Sequence, residues 1–170
     1  MYKTVRIGNQ IWMAENLNVS RYRNGDLIPN VKDEKWMKLK TGAWCTYCNL
    51  EYSSISKLYN WFAIDDKRCI APEGWHVPSD EEWTELTNFL GSENNAGGKL
   101  KQTGVKGWPA PNNDATNESG FNAISTGSRH GRSWGPLLDG WWSQSIYNGS
   151  DAWYRAINHD NNIINRYISS

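Results

Sequence analysis

Eleven tryptophans in 170 residues, joined by eight tyrosines and three phenylalanines, constrain this chain more than any other feature. An aromatic side chain buries about 150–250 Å². Rings can therefore supply a core that a hydrophobic fraction of 38 % and a mean hydropathy of −0.74 would not otherwise promise. Such richness in aromatics excludes a disordered chain. The length suits one domain, residues 1–170, since domains mostly run about 100–150 residues. The open question is whether the tryptophans are core, binding surface or both.

Charge removes several classes of partner. Lys and Arg total 18 against 18 Asp and Glu, a formal net charge of zero. Nucleic-acid binding needs a basic face that displaces counterions, and polybasic membrane attachment needs clustered cations. Neither is expected here. No run of about 20 apolar residues is present, so no transmembrane helix is expected. The stretch Met1–Gly8 lacks the apolar core of a signal peptide, which leaves a phage-encoded route or earlier removal of a leader.

Three cysteines, Cys45, Cys48 and Cys69, form an odd set. Cys45 and Cys48 have the spacing of a metal half-site or a redox pair, but no second pair or His-x3-5-His follows. A disulfide or plain buried thiols is the expectation, and no structural metal.

Along the chain, Thr4–Ile7, Gly8-Asn9 and Gln10–Met13 read as a β-hairpin. Residues 42–47 read as a short aromatic strand. Residues 56–64, with Leu58, Tyr59, Trp61 and Phe62, read as a short helix with one apolar face. The clearest helix signal is Ser79-Asp80-Glu81-Glu82, a capping box, followed by Trp83, Leu86, Phe89 and Leu90 at helical spacing and a stop at Gly91. Beyond it, Gly97-Gly98, Gly104, Gly107, Pro109 and Pro111 predict a long loop to Gly120. Short strands are then expected at 121–126, 140–145, 152–158 and 163–168. Helices in residues 1–95 and loops and strands in 96–170 predict an α+β domain with antiparallel sheet.

Catalytic motifs for nucleophilic hydrolysis, zinc proteolysis or nucleotide binding are missing from the text. His76, His130 and His159 lie far apart in sequence. His76 is expected to be structural, donating to a nearby carbonyl, while His130 and His159 fall in expected loops. Asn112-Asn113-Asp114-Ala115-Thr116-Asn117-Glu118 offers oxygen ligands of the kind calcium takes but lacks EF-hand spacing. A plain polar surface loop closed by Asx turns is therefore the expected reading, ahead of a calcium site. The final thirty residues mix Asn, Tyr, Ser, His, Asp and Ile between Trp141, Trp142 and Trp153, which a twisted strand edge with polar turns explains as well as a binding surface does. Tyr, Ser, Asn and Gly are what antibody binding loops favour, rigid aromatics for area and small polar groups for adaptable hydrogen bonds.

Several strings together resemble a known family. They are Ile7–Asn18, Lys57–Ala63, Ala71–Trp83, Ala96–Lys101, Ala115–Phe121 and Gly140–Ser143. Their order and spacing resemble the Fibrobacter succinogenes major paralogous domain over nearly the whole chain. The segment Gly74–Trp83 is also similar to formylglycine-generating-enzyme-like domains. The resemblance implies a C-type-lectin-like fold of two helices, small antiparallel sheets and a loop-rich C-terminal half that presents a ligand. It implies an extracellular or cell-surface setting, with a phage particle as another. Members usually end in a strand carrying a cysteine, and the resemblance makes that cysteine the partner of Cys69; the sequence given stops at Ile168-Ser169-Ser170, so that strand is expected to be absent, replaced by another segment or removed by truncation. The calcium signatures of sugar-binding lectins and the catalytic cysteine pair of the formylglycine enzymes do not carry over.

Domains of this fold also serve as variable proteins of diversity-generating retroelements, in which adenine-directed changes turn asparagine codons into Asp, His, Tyr, Ser, Thr and Ile. Ser145, Ile146, Tyr147, Asn148, Asn158, His159, Asp160, Asn161, Asn162, Ile163, Ile164, Asn165, Tyr167 and Ile168 fall in that set. The expected function is a non-enzymatic ligand-binding or adhesin-type module without cofactor, taking a protein or glycan on a cell surface. Its expected contacts are Ser145, Ile146, Tyr147, Asn148, Asn158, His159, Asp160, Asn161, Asn162, Ile163, Asn165 and Tyr167. The alternatives are a cysteine-dependent enzyme of the formylglycine-generating type and a structural tail domain acting through assembly. Trp12, Trp61, Trp75, Trp83, Trp141 and Trp153 are expected in the core. Trp36, Trp108 and Trp134 are expected at the surface or facing a ligand, and Trp44 and Trp142 are left unassigned.

Overall fold

In the computed structural model, which describes residues 1–46, 56–130, 133–135, 138–149 and 151–169, the N-terminal hairpin forms as its alternation predicts. Strand β1 (Thr4–Ile7) pairs with β2 (Gln10–Met13), with Ile7 opposite Gln10. Gly8 stands at φ +59°, the left-handed geometry that a tight hairpin turn demands. Ile7 and Trp12 point into the core.

Residues 56–64 are not one helix. Strand β3 (Trp44–Thr46) pairs with β4 (Lys57–Tyr59), and a single turn, α1 (Trp61–Ile64), follows. Asn60 causes the break: its side-chain oxygen accepts from Ala63 N at 3.1 Å and from Ala43 N at 2.9 Å. One amide thus caps the helix and ties it to the neighbouring strand. Helix α2 (Asp80–Phe89) has its capping box complete, with Glu82 N donating to Ser79 Oγ at 3.1 Å and Ser79 N to Glu82 Oε2 at 2.8 Å. Trp83, Leu86 and Leu90 are buried, whereas Phe89 lies outside, its ring over the Gly8 turn.

The loop expected from Gly97 onward begins instead as a helix, α3 (Glu93–Leu100), which crosses the boundary at residue 95. Glycine costs about 1 kcal/mol in a helix, and here it serves close approach. A Cβ on Gly97 would lie 2.7 Å from the carbonyl oxygens of Asn162 and Ile163. The strand expected at 121–126 reduces to one parallel bridge, Ala123 to Lys101. Strands β5 (Ser128–His130) and β6 (Ser133–Gly135) form a small hairpin that the sequence reading missed.

The last element is an antiparallel sheet in the order β7–β8–β9, from β7 (Leu138–Asn148), β8 (Asp151–Asn158) and β9 (Ile164–Ser169). With three α-helices rather than two among the described residues, and antiparallel strand pairing, the domain is α+β. One core packs Ile7, Trp12, Trp83, Leu86, Leu100, Trp108, Phe121, Ile157 and Ile164 between α2, α3 and the sheet. A second joins Tyr22, Ile28, Ala63 and Ile70.

The tryptophans divide differently from expectation. Trp12, Trp61 and Trp83 are buried as expected. Trp108, expected at the surface, is fully buried, because its indole Nε1–H donates to Ala123 O at 2.7 Å and so meets its polar requirement inside. Trp75, Trp141 and Trp153 are only half-buried. Trp141 nonetheless packs on the first core. Trp36 is half-buried beneath the Arg129 guanidinium, 4.7 Å from the ring centre. Trp44 and Trp142 are half-buried, and the side chain of Trp134 lies outside the described set.

Candidate functional site

The sheet β7–β8–β9 carries all twelve expected contact residues, on its strands or in the turn between β8 and β9, and places them at two ends. Ser145, Ile146, Tyr147 and Asn148 lie at the β7–β8 hairpin end, where Tyr167 of β9 joins them through its register with Tyr154. Asn158, His159, Asp160, Asn161, Asn162 and Ile163 form the opposite end, and Asn165 begins β9 beside it. The eight residues of β8 separate the two ends by roughly 25 Å at about 3.3 Å per residue. Ser145 is turned to structural use, its hydroxyl accepting from Asp80 N at 3.0 Å. Ile164 is wholly buried.

At the hairpin end the sheet exposes large apolar groups. Ile146 is 52 % exposed, Tyr147 49 %, Tyr167 41 % and Ile168 41 %. In-register neighbours share a face and successive residues alternate. Trp153 and Ile168 therefore share one face, where the Tyr147 ring meets Trp153 edge-on at 4.9 Å. Tyr154 and Tyr167 share the other, their centroids 5.6 Å apart, with Trp142 5.7 Å from Tyr154. Burial raises the Tyr154 phenol above its ordinary pKa, with the Tyr167 phenolate adding to it.

A buried ion cluster sets the pose of Trp153. The Arg166 guanidinium lies 3.4 Å from the centre of that ring and donates to Asp80, through Nη2 to Oδ2 at 2.6 Å and Nε at 3.0 Å. Asp80 Oδ1 also accepts from Arg155 Nη2 at 2.8 Å. Hydrogen bonding to Asp80 raises the Arg166 pKa, while burial lowers that of Arg155. The aromatic end is thus anchored to the first turn of α2.

A cleft of about 910 Å³ runs between the two cores, lined by Trp36, Tyr59, Trp61, Phe62, Trp75 and Trp142 among others, and none of the twelve expected contacts lines it. Asp139 stands at its inner wall with Thr126 and Gly127. Burial pushes the Asp139 carboxyl up to about 6 against hydrogen bonds from Ser125, Thr126 and Gly127. Of these residues Trp36 was expected at the surface or facing a ligand, whereas Phe62 and Asp139 were not singled out as site residues in the sequence.

Expected chemistry elsewhere resolves as follows. His76 is exposed, and its Nε2 meets Glu82 Oε1 at 2.8 Å rather than a carbonyl. Cys45 is buried, which raises its thiol pKa, and Cys69 is half-buried; both are free thiols. Cys48 and the side chain of His130 lie outside the described residues. Among the described residues no group of three or more His, Cys, Asp or Glu is placed to hold a metal ion, and no helix is long and apolar enough to cross a membrane.

The described chain is therefore an α+β domain that carries an aromatic sheet end on a Trp-filled core. It matches the Fibrobacter succinogenes major domain over residues 5–168 and belongs to that family. No curated protein and no solved structure matches it.

Proposed function

We propose that this chain is a non-enzymatic binding module, working outside the cell or on its surface, that captures a protein or glycan through the hairpin end of the sheet. The observation that carries this reading is the exposure of Tyr147 and Ile168 beside Trp153 on one face of the hairpin end, with Tyr167 exposed on the other face and Ile146 next to Tyr147 in the chain. Clustered exposed apolar groups mark interaction sites. Tyr and Trp give large contact area at low entropic cost, and Arg166 holds the Trp153 ring in one pose, which lowers that cost further. Neutral overall charge leaves specificity to shape and hydrogen bonding.

Because Tyr147 and Tyr167 lie on opposite faces, single variants identify the face used. Tyr147→Ala and Tyr167→Ala, alone and together, are to be compared with wild type on a glycan microarray and a displayed library of cell-surface proteins. Loss of capture in one single variant and in the double variant, at unchanged melting temperature, supports the reading. Equal capture by wild type and the double variant overturns it.

A second reading rests on the cleft. A volume of about 910 Å³ lies within the range of small-molecule sites, about 300–1,000 Å³, and its wall is aromatic. Displacement of an apolar fluorescent dye, lost in Trp142→Ala and kept in Tyr147→Ala, would assign binding to the cleft instead.

A further inference from the structure

The cleft between the two cores is walled in part by a carboxyl group with one oxygen unanswered. Two other carboxylates line the cleft, and both are partnered and reach solvent. Glu82 Oε2 accepts from Ser79 N at 2.8 Å and Glu15 Oε1 from Lys3 N at 2.6 Å. Asp139 is 1 % exposed. Its Oδ1 accepts from Thr126 N and, at 3.1 Å, from Thr126 Oγ1, whereas its Oδ2 is buried with no hydrogen-bond partner. A buried acceptor left unpaired costs its full desolvation, and a charged one costs more. Gly127 and Gly140 line the cleft beside it and carry no side chain, which leaves room at the carboxyl.

The walls define what answers that oxygen. Trp141, two residues on in β7, shares the Asp139 face and lines the cleft with it. Aromatic faces attract a cation within about 6 Å of their centres, and the rings around this cleft already do so. Lys40 Nζ lies 5.9 Å from the Phe62 centre and the Arg129 guanidinium 4.7 Å from that of Trp36. Arg129 is held there by Val31 O and Asp33 O, and Lys57 by Ser20 Oγ over the Trp44 ring. The groups that hydrogen-bond to Asp139, Ser125, Thr126 and Gly127, are neutral. We propose that the cleft binds a small organic ammonium ion, its apolar body between the aromatic walls and its N–H donating to Asp139 Oδ2. An ammonium brings both the donor that Oδ2 lacks and a charge opposite to the carboxylate, and such a bond is about twice as strong as a neutral one. A hydroxyl brings the donor alone. The assignment rests on the cleft being a binding site and is independent of what the hairpin end captures.

Isothermal titration calorimetry on the full chain, at about pH 8 where both groups are charged, tests this with two probes of one shape. They are protonated 2-(1-naphthyl)ethylamine and neutral 2-(1-naphthyl)ethanol. Wild type should bind the ammonium at least about tenfold more tightly than the alcohol. Asp139→Asn keeps an oxygen for Thr126 and removes the charge, so the two affinities should converge. Trp142→Ala, in the cleft wall, should weaken both probes. Equal affinities in wild type, or a preference that persists in Asp139→Asn, overturn the ammonium assignment while leaving the cleft a binding site. Binding of neither probe by wild type overturns the assignment and the cleft reading together. Where Asp139→Asn does not fold, the two wild-type affinities decide alone.

Discussion

Asp80 is the single carboxylate on which two arginines of the sheet close, and its removal yields a calculable loss. Its side chain is nearly buried and meets Arg155, whose side chain is 1 % exposed, at 2.8 Å, and Arg166, which is 38 % exposed, at 2.6 Å. In Asp80→Ala the Arg155 charge stays inside with Thr84 Oγ1 at 2.9 Å, Asp80 O at 3.3 Å and the more distant Glu93 Oε1 at 3.4 Å. Breaking a buried pair by deleting one partner costs about 3–5 kcal/mol. The Arg166 contact is partly solvated and adds about 1 kcal/mol or less. A loss of about 4 kcal/mol is expected, or about 10 °C in melting temperature for a chain of this size. Urea unfolding by circular dichroism reads it as a lower midpoint at unchanged slope. Because the penalty is an orphaned charge, adding Arg155→Met to Asp80→Ala should recover most of the loss. A loss below about 1 kcal/mol, or no recovery in the double variant, refutes the reasoning.

Other outcomes follow from the same geometry. Ser79→Ala removes half of a capping box and should cost about 1 kcal/mol in urea unfolding, whereas Thr46→Ala, at a half-buried strand position, should cost less. Asp139 has a folded pKa of about 6 against an ordinary value of 3.8, so the folded state binds the extra proton. Its stabilising contribution is full below about pH 4 and is lost as pH rises through about 6. Asp139→Asn lacks that loss and should gain on wild type by up to about 3 kcal/mol between these pH values, at about 1.4 kcal/mol per unit; a pH-independent difference would contradict it. Iodoacetamide should label Cys69 in the native chain and Cys45 only after unfolding, since Cys45 is wholly buried. Mass spectrometry that finds Cys45 labelled first would contradict that burial.

What was legible in the sequence was local. The Gly8-Asn9 hairpin and the Ser79–Glu82 capping box are set by residues within four positions of one another, and both form. The helix expected over 56–64 fails because Asn60 answers to Ala43, seventeen residues away, as well as to Ala63. Helix α3 was hidden because Gly97 and Gly98 signal a turn by propensity, yet they serve contact with Asp114, Asn162 and Ile163. Trp108 looked exposed among Gly and Pro, and only a partner at Ala123 explains its burial. The expected contact residues were legible as a composition. Their division between two ends of one sheet depends on the register of β8 with β7 and β9, which composition does not encode. The aromatic cleft needed both cores to be in place.

The most direct test of the central claim is capture of a surface ligand by wild type and by the Tyr147→Ala, Tyr167→Ala double variant, side by side on the glycan microarray and the displayed protein library. The account predicts at least one ligand that wild type retains and the double variant holds at least about tenfold more weakly, a difference of about 1.4 kcal/mol, with melting temperatures equal. Capture that is the same for both chains, or no ligand at all for wild type, contradicts it.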